Sequence, residues 1–443
     1  MLALLCFRAS GTVPLLATGD SYTSGSVYRI NLSNDTGQST LPEELEDPVV
    51  SGNNVYVTWS DSTPGNSSIF FRASNDQGST FGPSMDLSNN ADVSIDPRLA
   101  ASGKWVYLAW SDRTNASSSI MFRASRNYGA SFGPVVDLSN QVSGAIGPQI
   151  ALFGSNVYVA WAGSNNSMSD IFFRESHDNG KTFGPYYILS NSLGVSREVS
   201  VKAVGSNVYT TWVNILDGRI ETLFRASHDY GATFGSSLNL SATGSGTSRE
   251  PLLSISKNNV YIVWREIFNN SYEVFVRASH DNGSSFGAAI DLSNNKGVSR
   301  EAMVSSSGSN VYVMWRDNTP KHFDVFFRAS HDNGSTFDPR KNLSGDSGIS
   351  LLSGVTDIPE AASSGKNVFV AWDDNISGNY EVYLAASGDN GRNFPKVVNL
   401  GNDTGASNNQ EVAARGNFGY VAWNDITANQ SQTDVLFSSV NMA

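Results

Sequence analysis

Residues Val157–Trp161 read VYVAW, Ile171–Arg174 follow as IFFR, and Ser176–Phe183 as SHDNGKTF. The first string has eight versions: Val55–Trp59 (VYVTW), Val106–Trp110 (VYLAW), Val157–Trp161, Val208–Trp212 (VYTTW), Val260–Trp264 (VYIVW), Val311–Trp315 (VYVMW), Val368–Trp372 (VFVAW) and Gly419–Trp423 (GYVAW). Their starts lie 51, 51, 51, 52, 51, 57 and 51 residues apart. A strand with one wet face alternates polar and apolar residues. These runs are apolar at nearly every position, so they read as strands buried on both faces. About ten residues after each Trp comes a second strand of the IFFR kind, then a turn, then a third strand ending in a Leu-Ser pattern. A further strand fits before the next VYVAW. The unit is a four-stranded antiparallel sheet, A to D, and such sheets repeated about an axis make a propeller.

The turn recurs at Ser74–Phe81, Ser125–Phe132, Ser176–Phe183, Ser227–Phe234, Ser279–Phe286, Ser330–Phe337 and Ser387–Phe394. Its pattern, Ser-x-Asp-x-Gly-x-Thr-Phe, resembles the Asp-box (BNR repeat) of the sialidase superfamily, and the seven copies span almost the whole chain. The Asp side chain is expected to accept backbone N–H groups and the Gly to supply a positive φ. The Phe is expected to plug the gap between sheets. The second copy has Asn127 for Asp, which keeps the acceptor.

Eight VYVAW strings stand against seven turns. The last unit supplies a third strand at Asp434–Val440 and then stops short of a fourth. Tyr28–Gly37 (YRINLSNDTG) reads like Lys396–Gly405 (KVVNLGNDTG), so the N-terminal segment is expected to complete the eighth blade. The expectation is an all-β, eight-bladed propeller over 26–443. Its blades lie near 46–88, 96–139, 147–190, 197–241, 249–293, 300–344 and 358–400, with 410–441 plus 26–33 as the last. Closure hides the open strand edges.

The composition bounds the partners. Formal net charge is −12 and no Lys/Arg cluster interrupts it, which disfavours nucleic acid and anionic membranes. One cysteine, Cys6, excludes an intramolecular disulfide, and no Cys/His spacing suggests structural zinc. No cofactor is expected. No apolar run reaches the ~20 residues of a membrane helix. The apolar start, Met1–Phe7 within segment 1–25, reads as the remnant of a secretory signal, an ordinary N-terminus being the plainer alternative. Sequons at Asn31, Asn66, Asn115, Asn165, Asn239, Asn269, Asn342, Asn375, Asn402 and Asn429 point the same way, to a secreted or cell-surface protein.

Ligand sites are expected where the D–A and B–C loops open. Two residues after each Trp stand Asp61, Asp112, Gly163, Asn214, Glu266, Asp317, Asp374 and Asp425. The start of strand A offers Asp96, Glu198, Glu250 and Glu301, with Glu360 and Glu411 two positions later. Arginines adjoin these acids in blades 4 to 6: Arg197-Glu198, Arg249-Glu250, Arg300-Glu301, Arg265-Glu266 and Arg316-Asp317. These ten residues are the candidate ligand-binding sector, since guanidinium forks hold oxyanions and carboxylates hold sugar hydroxyls. The plainer alternative is ion pairing between blades. His177, His228, His280 and His331 occupy equivalent turn positions far apart on the rim and cannot share a metal, and His322 is alone in a loop. The repeated Trp residues read as inter-blade core, with Trp105 outside that pattern.

The resemblance implies a sialidase chemistry of three arginines on a substrate carboxylate, a Tyr activated by a Glu, and an Asp acid/base. The chain departs from it. Nothing before Ser74 matches the family's Phe-Arg-Ile-Pro motif. Arg249-Glu250-Pro251 is the nearest string, in the fifth unit, and the catalytic family has six blades. No catalytic residue is therefore assigned. In a glycosidase, acid and nucleophile would come from Glu198, Glu250, Glu266, Glu301 and Asp317 as a carboxylate pair. Three functions stay open: a module binding a glycan or surface protein, a sialidase-like exo-glycosidase, and a structural adhesion repeat. The oligomeric state is not set by the sequence.

Overall fold

The computed structural model describes residues 28–33, 39–40 and 48–442 apart from short loop stretches, the longest being 346–357. The segment 1–25 and the sequons at Asn115, Asn269 and Asn429 lie outside the described residues. The chain forms eight antiparallel sheets. In blade 5 the order is Arg249–Ser256 (A), Asn259–Phe268 (B), Ser271–Ser279 (C) and Ile290–Asp291 (D). Blades 2 to 7 repeat this plan. In blade 1 the A position is divided between Ser39–Thr40 and Val49–Ser51, both paired with Asn54–Asp61. Neighbouring A strands pack on one another around the ring, which puts A at the axis.

Eight apolar clusters fill the eight gaps between blades. The gap between blades 5 and 6 holds Tyr261, Val263 and Leu292 against Val311, Val313 and Trp315. Each VYVAW strand is buried on both sides: its Tyr faces the following blade and its Trp the preceding one. Trp105, outside that pattern, is half-buried and stacks on Tyr107 at 6.2 Å.

The ring closes as the repeat count requires. Arg29–Asn31 pairs with Thr433–Asn441 as strand D of blade 8, with Ile30 opposite Phe437. Leu32 is fully buried with Val57, Trp59 and Tyr420, joining blade 8 to blade 1. Ser33 Oγ accepts the Val435 amide and donates to Asp434.

The turns are built as their residues predict. Ser176 Oγ accepts the amide of Gly180 at 2.9 Å, and Asp178 accepts the amide and hydroxyl of Thr182 at 2.9 and 2.7 Å. Equivalent hydroxyl and amide bonds hold Asp229, Asp281 and Asp332 at a pKa of about 2. The Phe then meets the preceding blade: Phe183 lies edge-on to Phe122 at 4.9 Å. Gly180 has φ +72°, and a Cβ there would sit 2.8 Å from the Phe122 ring, so close blade contact as well as turn shape demands glycine. Asn127 keeps the turn, accepting the Ser131 amide at 3.0 Å and donating to its hydroxyl. Asn127→Asp should add a small gain, below about 1 kcal/mol, from charged hydrogen bonds. A carboxyl whose folded pKa is depressed loses its contribution as pH falls. The gain should therefore be present at pH 6 and gone near pH 2, which paired unfolding midpoints would show.

Candidate functional site

Six A strands carry a β-bulge near their start, and the residue there has a left-handed backbone: Asp96, Gly147, Glu198, Glu250, Glu301 and Asn409, with φ between 52° and 62°. Such a φ costs a non-glycine residue roughly 1–2 kcal/mol. Bulges re-aim side chains next to sites. Here they bring Glu198, Glu250 and Glu301 of three successive blades, with Glu360 of the next, to one pocket at the axis. The pocket opens to solvent, and its walls include Pro251, Leu252, Met303 and Ile358.

Arginines fix these carboxylates from the side, within blades more than between them. Arg265 grips Glu250 through Nε and Nη2 at 2.7 and 2.6 Å, and Arg316 grips Glu301 in the same way, with Nη2 at 2.5 Å. The Glu and Arg of each pair stand on paired stretches of strands A and B of one sheet, at the end away from the A–B turn. The expectation that Arg of one blade bridges Glu of the next holds only loosely, for Arg249 and Glu198 at 4.0 Å. Glu198 has no Arg opposite because Val213 occupies that B-strand position; its carboxylate accepts the Glu250 amide at 2.9 Å, with Arg197 at 3.7 Å. Burial acts against the charge of Arg265, but the bonds and charge of Glu250 raise its pKa above the ordinary value. Burial raises Glu301 despite Arg316, and burial with the nearby Arg316 lowers Arg300.

Two aromatic rings complete the sector, and the sequence reading missed both. The Arg265 guanidinium lies 4.6 Å from the Tyr272 ring centre, while Arg300 and Arg316 lie 4.7 and 5.0 Å from that of Phe323. Tyr272 is the second residue of strand C in blade 5, and Phe323 stands just before strand C in blade 6. Register was the available signal, since Tyr272 pairs with Ile267, two residues beyond Arg265.

Glu266 and Asp317 stand apart from the other eight candidates. Both are fully buried. Glu266 accepts Trp264 Nε1 at 2.9 Å, and Asp317 accepts the Ser299 hydroxyl at 2.6 Å. The same position serves the same purpose elsewhere, as in Asp112 with Ser94 and Asp425 with Ser407. In blades 2, 6 and 8 this acid thus ties strand A to strand B below the rim. His322 is not alone: its Nε2 lies 3.0 Å from Asp324. The turn histidines each bond a neighbouring Asn, as His228 does Asn207 at 2.7 Å.

In blades 5 to 8 each of these acids faces another acid directly across the B–C ladder: Glu266 with Glu273, Asp317 with Asp324, Asp374 with Glu381, Asp425 with Asp434. All eight are buried. Like charges at such spacing repel. Burial, then the nearby Asp291, pushes Glu273 up to about 7 despite the Ser293 hydroxyl bonded to it. A carboxyl with a raised folded pKa stabilises fully below its unfolded value and loses that contribution as pH rises towards 7. Glu273→Gln should therefore be neutral near pH 4 and stabilise by about 2–3 kcal/mol at pH 8. Denaturant titrations of both proteins across that range check it.

Among the described residues no group of three or more His, Cys, Asp or Glu is placed to hold a metal ion, and no helix is long and apolar enough to cross a membrane. No family model matches the chain, and no curated protein does. Solved structures that resemble it include a polysaccharide lyase, an ulvan lyase, at 10% identity, covering 94% of this chain and 96% of that one with a TM-score of 0.48. A sialidase of Trypanosoma rangeli in complex with the inhibitor DANA shows 12% identity over 81% of this chain and 56% of that one, TM-score 0.44. The NanB sialidase of Streptococcus pneumoniae shows 12% over 88% and 83%, TM-score 0.42. At these identities the likeness is one of fold, and no site residue is carried across.

Proposed function

We propose that the chain is an extracellular recognition module that holds a polar ligand, a glycan or a polar group of a surface protein, in the pocket of blades 4 to 7. One observation carries the reading: a ring of near-identical units gathers carboxylates from four successive blades into one apolar-walled pocket. Glu250 and Glu301, clamped by Arg265 and Arg316, present carboxylates that can accept hydroxyl hydrogens. Pro251, Leu252 and Met303 can cover the C–H face of a sugar ring. The same clamps argue against hydrolysis, because a carboxylate committed to a guanidinium fork is poorly placed to donate a proton. The exo-glycosidase reading is favoured by one contact, the Tyr272 ring against Arg265 beside Glu250.

The test is an oligosaccharide array and a panel of fluorogenic glycosides, sialosides included, with wild type, Arg249→Ala and Glu198→Gln. The expected result is binding without turnover, weakened about tenfold or more by Glu198→Gln, the loss of one charged hydrogen bond to the ligand. Turnover abolished by either substitution would replace the module with an enzyme.

A further inference from the structure

A second feature of the axis is independent of that pocket. Arg98 is the one arginine among the described residues that is buried, at 7% exposed. It sits in Val93–Ser102, the A strand of blade 2, two residues past the bulge at Asp96. The same register position in later blades is held by Gln149, Ser200, Leu252, Met303, Glu360 and Glu411. Leu252, Met303 and Glu360 of that tier line the axial pocket.

Arg98 has little to hold. Nη1 donates to the carbonyl of its own neighbour Pro97 at 3.1 Å, and buried Nε has no partner among the described residues. The guanidinium has five donors in a fixed fork. Arg123, by contrast, donates to the carbonyls of Gly133 and Leu87, although Nε of Arg72, Arg174, Arg225 and Arg277 also lacks a partner among the described residues.

The surroundings show where a partner belongs. Arg98 is directly opposite Ala109, a member of the cluster packed against blade 3, so its side chain is on the blade 3 side. There the bulge residue is Gly147, where blades 4, 5 and 6 carry Glu198, Glu250 and Glu301. A Cβ built on Gly147, or on Gly144, meets nothing within 4 Å. The repeat supplies a carboxylate at this position in blades 2, 4, 5 and 6 and omits it in blade 3, on the side that Arg98 faces.

We propose that Arg98 binds an oxyanion, a group with two or more oxygens sharing negative charge, in the space over Gly147 where the other blades place a carboxylate. Carboxylate, sulfate and phosphate share this chemistry, and the experiment separates them. Thermal unfolding is followed in sodium acetate, sulfate and phosphate against chloride at matched ionic strength and millimolar concentration, for wild type, Arg98→Met and Gly147→Glu. A crystal is soaked in selenate.

In wild type one of the anions should raise Tm by about 3 °C at a hundredfold excess over Kd. Arg98→Met should lose the shift. Gly147→Glu, whose backbone conformation Glu already adopts in three blades, should lose it too and melt higher than wild type without any anion. Anomalous density should lie against Arg98. Equal shifts in all three proteins would mark general salt exclusion and overturn the proposal. So would an absence of any shift beyond chloride, or selenate bound only elsewhere. If Arg98→Met fails to fold, Gly147→Glu and the selenate site decide.

Discussion

A chain that begins after Ser33 should fail to form a stable monomeric ring. It loses the ladder of Arg29–Asn31 on Thr433–Asn441, and Leu32 from the core shared with Trp59 and Tyr420. It also loses the Ser33 hydroxyl that serves Val435 and Asp434. Burial of a side chain such as Leu32 is alone worth about 2–5 kcal/mol against alanine, and whole domains are stable by about 5–15 kcal/mol. The truncation further bares strand C of blade 8, an edge that invites pairing with a second copy. Size exclusion and thermal unfolding of the truncated chain should show association and a midpoint lower by about 5 °C or more, by the same order-of-magnitude reckoning. Leu32→Ala should show a milder loss. A truncated chain that stays monomeric with the wild-type midpoint would mean that blade 8 closes without its outer strand.

Arg316→Met should cost about 3 kcal/mol of unfolding free energy, because it strands Glu301 in a half-buried site beside the pocket. The side chains are 12% and 18% exposed, so water offers little relief. Adding Glu301→Gln removes the stranded charge and should recover more than half of the loss. Denaturant unfolding of the two single variants and the double variant gives the coupling directly. Additive losses would show that the pair does not act as a unit. The same substitution at Arg265 should cost less, since Glu250 is more exposed and its charge better hydrated.

The architecture was legible because each blade repeats one message in its own strings. VYVAW marks a strand walled in on both sides, Ser-x-Asp-x-Gly marks the turn, and the match between Tyr28–Gly37 and Lys396–Gly405 marks the closure. The site was legible in part. Arg and Glu at the start of strand A did gather, because adjacent inner strands bring equivalent positions together. Glu266 and Asp317 look the same in sequence yet lie beneath the rim, since a strand sends successive side chains to opposite faces. Which acid is clamped and which is buried depends on the bulge, and a bulge built on Glu at φ 53–57° leaves no glycine to announce it. The facing acids of blades 5 to 8 were hidden for another reason. They become partners only when the B–C register is known.

The contact of each turn with the blade before it gives the ring a direction. Gly180 and Phe183 of blade 3 rest on Phe122 of blade 2, and Gly283 and Phe286 of blade 5 rest on Phe224 of blade 4. Damage therefore travels one way round. Trimming Phe122 should unsettle the turn of blade 3 and leave that of blade 1 untouched, so amide exchange would quicken on one flank only. The propeller behaves like a ratchet of overlapping tiles, in which every blade but the seventh is roofed by the turn of its successor and the last tile is tucked under the first.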